Sequence, residues 1–277
     1  MSRELWITAG VVVVILGLAT VFITVKKFRP HEWWPDRRID YKTVEGENFE
    51  LHTFYAKGVE GDAPALLLVH GGAWQFGTPA QVFPQCAFFA RNGMHCFAVR
   101  YRVSGGGPPD VRGAIQDTRD AFDYVIENAG ELGIDTTRVF IGGGSAGGHL
   151  AAATGAGLPD KTAVRPAGLV LYNPMIDLAP GMPDHNLVSD YWEAVSPLHH
   201  LDDRTPPALV LLGDRDTEIS VETAERFCAA LQAAGGQCDV AVYPGRGHGF
   251  FNYNPGNTRD FDLTNERVLQ FLNGFKG

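Results

Sequence analysis

Cysteine is scarce in this sequence, and its spacing excludes more than its number does. The four cysteines, Cys86, Cys96, Cys228 and Cys238, form no C-x-x-C pair and join no His/Cys cluster, which argues against a zinc site. Positive charge is thin as well. Net charge is −9, and no run of Lys or Arg makes a patch outside the N-terminal region, which argues against nucleic-acid binding. Internal repeats and low-complexity stretches are absent, and the 33 glycines and 17 prolines are spread as turn punctuation.

What is present suits one large domain. The chain has 277 residues, 45% hydrophobic and 20% charged, enough to bury a sizeable core. Leu5–Val25 is 21 residues without a charge, 13 of them Leu, Ile, Val or Phe. Such a run gains roughly 4–8 kcal/mol on membrane insertion before its Gly and Thr residues are counted. Trp6 and Trp33-Trp34 stand near its ends, where interface aromatics belong. A cleaved signal peptide is the rival reading, weakened by the long apolar core and the lack of an A-x-A site. The expectation is a single-pass membrane protein, with residues 1–29 an anchor, 30–40 a linker and 41–277 the globular domain. Lys26, Lys27, Arg29, Arg37 and Arg38 follow the span and only Arg3 precedes it, a bias that favours a cytoplasmic domain. The cysteines lean the other way if they are bonded. Cys86/Cys96 and Cys228/Cys238 each join a helix to the start of the next strand, so two disulfides and four packed thiols both stay open, packed thiols being the plainer reading.

Alternation over Phe49–Tyr55 predicts an early antiparallel strand. The continuous apolar run Ala65–Val69 predicts a strand covered on both faces, and further strands are predicted at Cys96–Val99, Val139–Ile141, Gly168–Tyr172, Ala208–Leu212 and Asp239–Tyr243. Helical spacing lies between them, around Gln81–Arg91, Ile115–Ala129, Val221–Leu231 and Arg259–Phe275. The alternation implies an α/β fold, a mainly parallel central sheet with helices on both faces.

Gly143-Gly-Ser145-Ala-Gly147 follows one of those strands and opens small, helix-compatible residues. This is the G-x-S-x-G pattern of a nucleophile elbow, where only small neighbours let strand and helix approach a strained serine. A serine hydroxyl needs a base oriented by an acid. Of nine histidines, His248 alone lies beyond a late strand end in a glycine-flanked loop, so it is the candidate base. Asp216 is the preferred acid, Asp214 a loop-capping alternative and Asp177 a distant third. Gly71-Gly72-Ala73 after the Ala65–Val69 strand offers backbone donors, so the N–H groups of Gly72, Ala73 and Ala146 are assigned to an oxyanion hole. His70 reads as a brace for that loop and His149 as a packed histidine. His199 and His200 read as surface or hinge residues. Trp74 stands evenly between pocket wall and core.

His70-Gly-Gly-Ala-Trp74, Gly143-Gly-Ser-Ala-Gly-Gly-His-Leu-Ala151, Ser196-Pro197 and Gly247-His-Gly-Phe250 resemble the α/β-hydrolase superfamily. The likeness is to its hormone-sensitive-lipase-like and acetylxylan/feruloyl-esterase-like branch, over about residues 40–275. The resemblance implies an α/β-hydrolase fold, a Ser145–His248–Asp216 triad, small carboxylic esters as substrates, and no cofactor or metal. It departs at Ala73, where relatives carry a third glycine, and after Asp216, where Thr-Glu-Ile-Ser220 replaces the frequent Val-Pro ending. The membrane span brings it nearer to prenylcysteine methylesterases, which share the His-Gly-Gly-Ala-Trp signature. The alternatives are an amide-directed hydrolase, formamidase- or peptidase-like, and a non-catalytic binding module on the same fold.

Overall fold

Ala65–Val69 is apolar throughout, and such a strand is stable only with both faces covered. In the computed structural model, which describes residues 33–275, it sits inside an eight-stranded sheet. In chain order the strands are β1 (Arg37–Val44), β2 (Glu47–Phe54), β3 (Ala63–Val69), β4 (His95–Val99), β5 (Ile134–Gly144), β6 (Leu169–Tyr172), β7 (Ala208–Gly213) and β8 (Cys238–Tyr243). Their order across the sheet is β1-β2-β4-β3-β5-β6-β7-β8. The pairs β1/β2 and β2/β4 are antiparallel and all other neighbours run parallel.

Five helices cover the sheet: α1 (Phe83–Arg91), α2 (Val111–Glu127), α3 (Ala146–Gly155), α4 (Val221–Ala233) and α5 (Arg259–Leu272). Side chains alternate across a strand, so β3 feeds two layers. Ala65, Leu67 and Val69 join the cluster of Val111, Phe122 and Leu150 from α2 and α3. Leu66 and Leu68, at most 1% exposed, face the other layer, where α1 contacts α5. Each leucine buried this way contributes roughly 1.5–3 kcal/mol relative to exposure. Capping fixes the helix starts. Asp110 accepts from the Gly113 N–H at 2.8 Å and Ser220 from the Thr223 N–H at 3.1 Å.

Two expectations change. The segment read as a linker to residue 40 already contains β1, and the compact unit begins at Pro35. The strand was hidden because only Ile39 and Tyr41 are buried, while Arg37, Arg38 and Asp40 face solvent. The packed-thiol reading is also corrected. Cys86–Cys96 and Cys228–Cys238 are disulfides, with Cα atoms 5.0 and 5.1 Å apart. Each helix packs back on the strand that follows it, so residues ten apart meet. The proposed span Leu5–Val25 lies outside the described residues, among which no helix is long and apolar enough to cross a membrane.

Parallel register decides where chemistry can gather. Val69 pairs with Gly143, Gly144 with Tyr172, Tyr172 with Leu211, and Gly213 with Tyr243. The residues after β3, β5, β6, β7 and β8 therefore emerge along one rim.

Candidate active site

Ser145 bridges β5 and α3 with φ 55° and ψ −121°. A non-glycine residue there costs roughly 1–3 kcal/mol unless its surroundings hold it. They do. Its N–H donates to the Tyr172 carbonyl at 2.9 Å, and its own carbonyl accepts from the His149 N–H at 3.0 Å. Gly147 makes the approach possible, since a Cβ there would lie 2.1 Å from the Val69 carbonyl oxygen.

His248 leaves the loop after β8 and places Nδ1 2.8 Å from Asp216 Oδ2. An ionised carboxylate only accepts, so Nδ1 carries the hydrogen and Nε2 of the neutral ring is free to take a proton. Asp216 is held on every side. Its Oδ1 accepts from the Glu218 and Ile219 N–H groups at 2.8 and 3.0 Å, and its Oδ2 also accepts from Asn173 Nδ2. Burial pushes this carboxyl up, but donors from Ile219, Glu218, Asn173 and His248 outweigh it and hold it below the usual carboxylate range. Asn173, just past β6 and fully buried, is a partner of Asp216 that sequence reasoning missed. Its only sequence signal is a polar residue directly after an apolar strand.

The third part is the loop after β3. Gly72 has φ 123°, and a Cβ on it would meet the Phe76 carbonyl oxygen at 2.2 Å, so only glycine closes this turn. Gln75 and Phe76 N–H groups donate to the Gly72 carbonyl at 3.0 and 2.9 Å. Gln81, also missed from sequence, accepts the Gly71 N–H at 2.7 Å. The Gly72 and Ala73 N–H groups have no protein acceptor among the described residues. Ala146 opens α3, so its N–H is unpaired within the helix. His70 braces the loop from behind. Its Nδ1–H donates to the Gly71 carbonyl at 2.8 Å, its ring stacks on Tyr101 at 4.4 Å, and burial lowers its pKa to about 4.

One cleft of about 290 Å³ is lined by Ser145, His248, Gly72 and Ala73, with Met175, Val82 and Phe251 as apolar walls. Glu218 and Asp184 also border it, and Glu218 Oε2 lies 3.4 Å from His248 Nε2. Trp74 does not line this cleft. It is 1% exposed and belongs to the core, while Phe76, 57% exposed, borders the opening. The other acids have different work. Asp214 caps the Gly245 N–H at 2.6 Å, and Asp177 pairs with Arg226 at 2.8 Å and with His199 at 3.3 Å. His200 Nε2 is bonded to the Glu193 carbonyl at 2.6 Å.

Such a rim, with a strained serine, an imidazole backed by a carboxylate, and uncommitted N–H donors, can carry acyl transfer. Comparison with known proteins agrees. The BD-FAE family model matches residues 51–164 and the prolyl oligopeptidase family model matches residues 112–272. Esterase LipC of Mycobacterium tuberculosis is 31% identical over 221 residues, covering 68% of this chain and 53% of its own. An acetylxylan esterase of Xylanibacter ruminicola is 28% identical over 203 residues, covering 67% of this chain and 41% of its own. The chain thus spans about half the length of these relatives, or less. The propionate-bound thermophilic esterase Est2 of Thermogutta terrifontis superposes with a TM-score of 0.80 at 31% identity, covering 90% of this chain and 98% of Est2. With the sheet, the elbow and a near full-length structural relative in agreement, the chain belongs to the α/β-hydrolase superfamily, among its serine esterases.

Proposed function

We propose that the protein is a carboxylesterase that cleaves small carboxylic esters through an acyl-enzyme on Ser145. The observation that carries this is the 2.8 Å Asp216–His248 pair bordering the cleft that also holds Ser145 and two uncommitted loop N–H groups. In this reading Ser145 Oγ attacks the ester carbonyl carbon while His248 Nε2 takes its proton. The carbonyl electron pair moves onto oxygen, and the N–H groups of Gly72, Ala73 and Ala146 hold that oxyanion. Collapse restores the carbonyl and expels the alcohol, whose oxygen receives the proton from the imidazolium. Water repeats the sequence and frees the acid. Asp216 stays ionised throughout, fixing the tautomer and stabilising the imidazolium. A cleft of about 290 Å³ supports a short acyl chain, as does the propionate bound to Est2. The test is hydrolysis of p-nitrophenyl acetate and butyrate. Ser145→Ala should lower turnover by at least about 10³-fold, and full activity in that variant would overturn the reading.

A second reading keeps these residues and changes the bond. The prolyl oligopeptidase family match over residues 112–272 favours testing an amide. Turnover of an acyl p-nitroanilide above that of the matched p-nitrophenyl ester would select it.

The N-terminal run supports a further proposal, that Leu5–Val25 anchors the domain to a membrane. The two disulfides support a domain facing an oxidising compartment. They outweigh the Lys/Arg bias, because a structural disulfide does not persist in a reducing cytosol. Carbonate-washed membranes and thiol alkylation without reductant test both points. A freely extractable protein overturns the anchor, and four alkylated thiols overturn the oxidising side.

A further inference from the structure

Ala73 and Trp74 are consecutive left-handed residues, with φ 51° and 58°. Neither is glycine, so this stretch of loop persists only where its surroundings hold it, as the Ser104 N–H does by donating to the Trp74 carbonyl at 3.2 Å. The Trp74 indole adds a side-chain hold. It is buried edge-on against His149, ring centroids 5.0 Å apart and planes at 84°. An indole N–H can only donate, and its acceptor is His149 Nδ1 at 3.2 Å. An accepting Nδ1 puts the ring hydrogen on Nε2, which donates to the Val195 carbonyl at 2.6 Å. His149 is fully buried, and burial lowers its pKa to about 4, so the neutral ring persists across the physiological range. Val195 ends a single helical turn, Trp192–Val195, and the next residue, Ser196, accepts the Leu178 N–H on its Oγ at 3.0 Å. One imidazole thus ties three segments together: the helix that starts at the nucleophile, the loop after β3, and the stretch that follows β6.

We infer that His149 is a positioning residue for the oxyanion hole, setting through the Trp74 indole the direction of the Ala73 N–H relative to Ser145. The inference rests on the proposed role of Gly72 and Ala73 as oxyanion donors. His149 does not line the cleft and has no proton to move in the reaction. Its effect is geometric, because His149 lies on α3, which starts directly after Ser145, while Trp74 follows the donor directly. A full negative oxygen exists only near the transition state, so a misdirected donor lowers kcat more than it raises KM.

Two substitutions separate the two hydrogen bonds. Asn at position 149 brings an amide oxygen to the place of Nδ1, keeping the indole's acceptor and dropping the Val195 bond. Gln reaches the place of Nε2 with an amide N–H and leaves the indole without its acceptor. His149→Gln should lower kcat by about 10- to 100-fold, with KM changed by less than about threefold. His149→Asn should recover most of that loss. The inhibition constant of a trifluoromethyl ketone, which forms an oxyanion on Ser145, should rise in His149→Gln in step with the fall in kcat/KM. Trp74→Phe should reproduce the Gln result, and the double variant should add nothing to it. It decides the matter alone if the Gln variant does not fold. A His149→Gln enzyme with native kcat, or Asn and Gln variants that lose activity equally and only in proportion to their thermal midpoints, overturns the assignment. Failure of the esterase reading looks different, since the unsubstituted protein would then turn over no ester.

Discussion

Gly147→Ala adds one carbon where the elbow has no room for it. An ideal Cβ at this position lies 2.1 Å from the Val69 carbonyl oxygen and 2.5 Å from that of His70. A carbon–oxygen contact settles at about 3.3 Å, so α3 must withdraw from the end of β3 by roughly 1 Å. Both obstacles are backbone at a fully buried strand end, and no rotamer change relieves them. The withdrawal separates the two halves of the site, because Ser145 precedes α3 and Gly72-Ala73 follow His70. A displacement of about 1 Å at reacting groups costs on the order of 10²-fold in rate. Overpacking costs about 1–3 kcal/mol, against a helix-propensity gain of up to about 1 kcal/mol for alanine. The clash wins, and the thermal midpoint should fall by about 2–10 °C. Gly130→Ala is the control. It is exposed in the helical turn Ala129–Leu132, and its Cβ would meet nothing within 4 Å, so propensity acts there without strain. Ester turnover and circular-dichroism melts on both variants decide the matter. Near-native turnover with an unchanged midpoint in Gly147→Ala would refute the close-approach argument.

Asp216→Asn should lower kcat by about 10³- to 10⁴-fold, because an amide in place of the carboxylate favours the wrong tautomer of His248. The same carboxylate has a pH signature. Its folded pKa lies below the ordinary value of about 3.9, so its stabilisation is complete above that value and is lost as pH falls through the lower folded pKa. Urea midpoints measured from pH 6 to 2 should therefore fall less steeply below pH 4 in Asp216→Asn, and parallel curves would contradict this. The cleft borders Asp184 and Glu218 and, among its described lining, no Lys or Arg. Esters with a fixed cation on the alcohol should then exceed isosteric carboxylate-bearing esters in kcat/KM by about threefold to tenfold, and Glu218→Gln should narrow the ratio. Equal kcat/KM values would remove Glu218 from specificity. Each disulfide closes a short loop, its cysteines ten residues apart, and should stabilise the domain by about 2–3 kcal/mol. Cys238 is only half-buried whereas Cys86 and Cys96 are sealed, so mild reductant should open Cys228–Cys238 first, as read by alkylation and mass spectrometry.

What was legible in the sequence is what the backbone demands locally. Gly143-Gly-Ser145-Ala-Gly147 was readable because a strand cannot turn into a helix around a strained serine without small residues. Asp216 and His248 were readable because β7 announces itself as an apolar run and β8 by the shorter Val240–Tyr243, and both residues stand beyond the ends. β1 was not, since an edge strand with one solvated face shows only Ile39, Tyr41 and Val44 as apolar signal. The disulfides were half legible. The equal spacing was visible, but the return of each helix onto its next strand is a tertiary fact. Trp74 needed the structure too, because its loop residues pair locally whether the indole faces ligand or core.

Asn173 marks the limit most clearly. It meets Asp216 across 43 residues of sequence, and nothing near either residue encodes the meeting. β6 and β7 pair in parallel with Tyr172 beside Leu211, so their following loops leave the same rim as neighbours. Register therefore carries a share of the site's chemistry. A one-residue slip between these strands would turn every β7 side chain to the opposite face and carry the loop holding Asp216 away from Asn173. Leu209, Val210, Leu211 and Leu212, each 0% exposed, are packed on both faces, so the slip would require both layers to repack. In this protein the apolar strands and the polar rim are one specification, because the packing that fixes the first also sets the distances in the second.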